Sequence, residues 1–126
     1  MSPSNISQLS RGNVVLVRFP FTDLTSAKRR PAVVVTDTTK VTGVDGHFIF
    51  MGTQLPAMQE PSIPILEGSP EAIAAGLKFQ PGATSAFILP KKIATLDVSL
   101  VSRRLGSLSP ELLTQVDSHL KAILGL

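Results

Sequence analysis

Two short apolar runs, Asn13–Phe19 and Pro31–Asp37, constrain this chain most, because Val14, Val15, Val17, Val33, Val34 and Val35 are all β-branched. Gly12 precedes the first run and Pro20 follows it, so each reads as a short buried strand rather than as part of a helix. Val44-Asp45-Gly46-His47 places a glycine turn before a third strand, Phe48–Met51, which ends at Gly52-Thr53-Gln54. Leu55–Pro64 holds three prolines and is expected to be an edge or irregular connection, since proline cannot donate to a central ladder. Thr84–Leu89 forms the next strand, and Lys91–Leu96 and Ser99–Arg103 follow as short strands separated by Asp97.

Helical signals occur twice. Ser69-Pro70-Glu71 supplies an N-cap, a first-turn proline and a first-turn acid, and Gly76 stops the segment, which predicts a short helix over Glu71–Ala75. Ser109-Pro110-Glu111 repeats the start signal. Leu112, Leu113, Val116, Leu120, Ile123 and Leu124 then recur at helical spacing and predict an amphipathic C-terminal helix. The chain is therefore read as mainly β: a small closed or half-open barrel of six or seven strands, with a short internal helix and a C-terminal helix.

With 126 residues the chain has room for one ordinary domain and no second. Met1–Gly12 is Ser-rich and lacks the apolar run of a signal peptide, so residues 1–10 are expected to form a flexible tail and 11–126 a single domain. No stretch approaches the roughly 20 apolar residues needed to span a bilayer, and a cytoplasmic location is expected. Only 17% of residues are charged against 43% hydrophobic, which implies apolar surface that a partner covers. No cysteine is present, which excludes a thiolate nucleophile and a disulfide framework, and two histidines are a poor set for zinc. Net charge is +3, with the surplus gathered in Lys28-Arg29-Arg30, Lys91-Lys92 and Arg103-Arg104; this permits a polyanion partner without demanding one.

Three pieces occur in a telling order. Gly12–Phe19 leads through a polar loop into Arg30-Pro31-Ala32-Val33-Val34-Val35. A strand then ends in Gly52-Thr53-Gln54. Finally Gly76-Leu77-Lys78 leads through Ser85 to Lys92-Ile93-Ala94-Thr95-Leu96-Asp97, Arg104-Leu105-Gly106 and the capped helix. Together they resemble the MazF/PemK family of toxin–antitoxin toxins from about residue 11 to 124. The resemblance implies an SH3-like barrel, a homodimer, a cognate acidic antitoxin, and cleavage of single-stranded RNA without metal or other cofactor. It also implies that Arg30, from the Arg-Pro pair, and Thr53, closing the third strand, lie at the active site.

Such cleavage uses the neighbouring 2′-hydroxyl as nucleophile, so the protein needs only to position the strand, move protons and stabilise charge on phosphorus. A guanidinium suits the last task, because it donates two parallel hydrogen bonds and stays charged at physiological pH. Arg30 is accordingly read as electrostatic stabiliser and Thr53 as hydroxyl donor. Family members often carry a Glu or His in the first loop, or an Arg and Asp on the strand that here reads Phe87-Ile88-Leu89-Pro90. This chain has neither, and Asp23, the carboxylate of its first loop, is the candidate base. Lys28, Arg29, Gln54, Lys91 and Lys92 are candidate RNA contacts.

Blander readings stand beside these. Arg30 has a possible ion-pair partner in Asp37, Thr53 can simply end a strand, His47 and His119 are more often structural than catalytic, and Phe19 and Phe21 suit a core or dimer contact as well as base stacking. Two other functions also fit: a gyrase-directed toxin like CcdB, which shares the fold, and a relative that binds RNA or antitoxin without cutting.

Overall fold

The computed structural model describes residues 5–18, 29–40, 43–52, 61–79 and 81–126. Among them lie six strands, β1 (Asn13–Arg18), β2 (Arg29–Val34), β3 (Asp45–Gly52), β4 (Ile63–Leu66), β5 (Ser85–Asp97) and β6 (Val101–Ser107). Two helices, α1 (Pro70–Ala74) and α2 (Pro110–Leu124), and short 3-10 turns at Ile6–Gln8 and Val98–Leu100 complete them. The strands form one antiparallel sheet in the order β4-β5-β3-β2-β1-β6, curled into a half-open barrel.

Both faces of the sheet are covered, which explains why β1 to β3 read as nearly unbroken apolar runs. Successive side chains alternate between two cores. Val14, Val33, Ile49, Met51 and Ile88 meet Leu112 and Val116 of α2 and Ala72 and Ala75 at α1. Val15, Val17, Ala32, Val34, Phe48 and Phe50 point the other way, to Ile6, Leu9, Leu96, Val98 and Val101.

The second core overturns two expectations. Residues 5–10 do not extend as a tail: Ile6 and Leu9 are buried, and the Ile6 N–H donates to the Gly43 carbonyl at 3.1 Å. Gly46 is not a turn but a buried position inside β3, because the Ile6 side chain and the Phe48 ring occupy the space a Cβ would need, at 2.9 Å each. The strands expected on either side of Pro90 are one continuous β5. Ile88 pairs with Met51 and Ile93 with Ile49, so extra residues of β5 bulge opposite β3, and Pro90 sits in that bulge, where no ladder donor is required. Beyond Asp97 the chain enters the second 3-10 turn, and β6 begins only at Val101.

Other expectations hold. β4 is an edge strand, its Pro64 exposed. Both capped helices form, with the Ser69 and Ser109 hydroxyls accepting from the N–H groups of Ala72 and Leu112 at 3.1 and 3.2 Å. α1 spans Pro70–Ala74, one residue earlier than expected, and α2 ends on Gly125 in the left-handed region. Arg11, just before β1, pairs with Asp117 of α2 and also donates from Nε to the Val35 carbonyl at 3.2 Å, tying helix to sheet.

Candidate active site

Arg30 is exposed near the start of β2, opposite Val17 of β1. On its other side β2 pairs with β3 through Ala32–Phe50, and that register carried two residues along both strands sets Arg30 across from Gly52. Gly52 in turn pairs with Phe87 of β5, and Phe87 with Pro64 of β4. A single row of residues thus crosses the sheet at one end. Ala32 and Phe50 belong to the second core, so alternation puts Arg30, Gly52 and Phe87 on that same face, at its edge, where Val17 beside Arg30 is still buried in the core. Gly52 is half-buried, and a Cβ there would lie 3.8 Å from the nearest atom, of Leu89. The next residue in the chain is Thr53.

Thr53, Gln54, Asp23 and Lys28 lie outside the described residues, as do Phe19 and Phe21. Lys91 and Lys92 are exposed on β5, immediately after the bulge at Pro90. Arg29 is exposed too, but as Arg30's neighbour in a strand it projects from the opposite face.

The simple ion pair between Arg30 and Asp37 is ruled out by distance. Arg30 is near the start of β2, whereas Asp37 lies three residues past its other end, beyond a bend at Thr36; the four residue steps from Arg30 to Val34 alone span roughly 13 Å. Asp37 instead accepts from the Thr39 hydroxyl and N–H at 2.6 and 3.1 Å, which holds its carboxyl below the usual carboxylate range. Asp97 is lowered likewise, chiefly by the Ser99 N–H at 2.8 Å. Asp45 and Asp97 face each other across β3 and β5 at this same far end. Among the described residues, Asp37, Asp45 and Asp97 lie at the far end of the sheet and Arg18, Arg29 and Arg30 at the end of the candidate site, which gives that end a positive setting. His47 lies away from Arg30: its N–H donates to the Thr36 hydroxyl at 2.6 Å and its Nδ1 stands 3.1 Å from the same oxygen, a structural role.

Phe87 was not singled out by the sequence as a site residue. It sits half-buried beside Gly52, and only the register, not any motif, brings it there.

The sequence profile of the PemK-like, MazF-like toxins of type II toxin–antitoxin systems matches residues 10–124. The chain belongs to the PemK/MazF toxin family. Solved structures agree on the fold of this PemK/MazF chain. An endoribonuclease in complex with its cognate antitoxin, from a mycobacterial species, is 17% identical over 94% of each chain, with a TM-score of 0.63. MazF from Deinococcus radiodurans is 20% identical over 100% of this chain and 99% of its own, with a TM-score of 0.59. The MazE–MazF complex from the same organism is 21% identical over 94% and 97%, with a TM-score of 0.62. No curated protein sequence matches the chain. Among the described residues, no helix of this PemK/MazF chain is long and apolar enough to cross a membrane.

Proposed function

We propose that this PemK/MazF-family chain is the toxin of a type II toxin–antitoxin system and cleaves single-stranded RNA, with Arg30 and Thr53 at the scissile phosphate. The observation that carries this reading is the strand register. In a family whose solved relatives include proteins described as endoribonucleases, it brings an exposed arginine beside the glycine that immediately precedes Thr53.

The 2′-oxygen attacks the adjacent phosphorus, the bond to the 5′-oxygen breaks, and the products end in a cyclic phosphate and a 5′-hydroxyl. Arg30 offsets charge on the non-bridging oxygens through two parallel hydrogen bonds, and Thr53 donates a third. Asp23 takes the 2′-hydroxyl proton, and the departing 5′-oxygen takes a proton from water. Lys28, Arg29, Gln54, Lys91 and Lys92 hold the flanking strand, and no metal or cofactor enters the step.

The same reading includes a cytoplasmic homodimer inhibited by an acidic antitoxin. The mycobacterial and Deinococcus relatives solved with antitoxin support the partner, and exposed Leu66, Ile73 and Leu124 supply apolar surface for a second chain to cover. Purified protein incubated with RNA in EDTA is expected to yield discrete fragments bearing 2′,3′-cyclic phosphate ends. RNA left intact at high enzyme excess would overturn the proposal.

A further inference from the structure

Arg18 and Arg29 pair directly across β1 and β2, an arrangement that is normally unfavourable for like charges. Arg103 of β6 pairs with Leu16, two residues before Arg18 on the same face, and a bulge in β6 follows before Val101 pairs with Val17. All three arginines are exposed, and among the described residues none has an ion-pair partner. Val14 and Val33 fix the direction of this face: it is the side that α2 covers further along, opposite the face to which Arg30 points. Three neighbouring strands therefore carry three arginines on one face near the same end of the sheet, and nothing in the described fold neutralises them.

Building on the nuclease reading, we infer that Arg18, Arg29 and Arg103 form a second phosphate-binding subsite, which grips the RNA backbone on the face opposite Arg30 after it has passed that residue. Arg29 and Arg30 are consecutive, so a strand crossing the end of β2 meets one guanidinium on each face of the sheet. Planar forks match phosphate oxygens in pairs. An anion between Arg18 and Arg29 also offsets the repulsion between two opposed like charges. RNA is favoured over an acidic peptide because the patch is continuous, through a single peptide unit, with the residue assigned to the scissile phosphate.

The test uses fully 2′-O-methylated oligonucleotides, which lack the attacking hydroxyl, so that binding is read without cutting. Oligonucleotides of about fifteen and about six nucleotides are compared by fluorescence anisotropy between about 50 and 200 mM salt. Arg18→Gln and Arg103→Gln are each expected to lower the salt slope for the longer strand by roughly 0.7 and to weaken its binding about five- to tenfold. Binding of the shorter strand changes far less, and Lys121→Gln on α2 changes neither. Thermal melting of Arg18→Gln is expected to be unchanged or raised, since one of two opposed charges is gone. If the wild type cuts RNA but the arginine variants keep its slope, the subsite is wrong and the nuclease reading survives. If the variants lose affinity only for polyglutamate, the patch serves a protein partner and the inference is overturned. If the wild type neither binds oligonucleotides nor cuts RNA, the nuclease reading itself has failed.

Discussion

Gly76 lies so close to Leu105 that a Cβ on the glycine would stand 2.0 Å from the leucine carbonyl oxygen. The contact is reciprocated one residue on, where a Cβ on Gly106 would stand 2.2 Å from the Ala74 carbonyl oxygen. The end of α1 and strand β6 therefore touch backbone to backbone, and Gly76 adds a φ of +69°. Gly76→Ala and Gly106→Ala are each expected to destabilise the fold by about 2–4 kcal/mol, because backbone cannot yield as a side-chain tip can. Urea midpoints followed by circular dichroism check this, and a midpoint within error of wild type would show that the two elements slide apart freely.

Ile6 lies outside the residues that match the family, yet it is fully buried over Gly46 and Phe48. Ile6→Ala is expected to cost about 2–5 kcal/mol, the range for emptying a core aliphatic site. The same substitution on a free tail would cost nothing, so denaturant unfolding separates the two cases cleanly.

The contrast between Ile6 and Val33 shows what the sequence could reveal. Val33 sits in an unbroken β-branched run, and the run announces a strand buried on both faces. Ile6 and Leu9 are isolated among serines and polar residues, and two apolar residues without periodicity look the same whether they dock or drift. Pro90 misled for a related reason: a proline reads as a break unless a bulge, which only the partner strand's register can reveal, removes the need for its N–H. At the candidate site, Arg30 was legible from its place before Pro31. Phe87 and the Arg18–Arg29–Arg103 patch were not, because their proximity comes from pairing between strands far apart in the chain.

The carboxyls of Asp37 and Asp97 are both held below 3.8 by hydrogen bonds that the ionised form accepts, from Thr39 and Ser99 respectively. A lowered folded value means that the stabilisation is complete above the unfolded pKa and fades as pH falls through the folded one. Neither group should therefore alter stability between pH 7 and about pH 5, and both should contribute to its loss below about pH 4. Carbon-detected NMR titration is expected to place both midpoints under 3.8, and Thr39→Ala should return Asp37 towards that value. A folded midpoint at or above it would contradict the turn geometry.

Arg30 is exposed, so its replacement should leave the fold intact while removing charge from the reaction. Loss of one preorganised donor to a developing oxyanion typically costs about 100- to 1,000-fold in rate, and Arg30→Ala is expected to fall in that range with an unchanged melting temperature. Arg30→Lys separates charge from geometry. A lysine keeps the positive charge but lacks the planar fork, so it should recover only part of the loss, and should do so in kcat rather than in KM. Full recovery by lysine would mean that a point charge suffices and that the paired hydrogen bonds proposed for Arg30 are not made. No loss in either variant would move the scissile phosphate away from β2 altogether, since Arg30 is the charged side chain in the row that leads to Gly52 and the threonine after it.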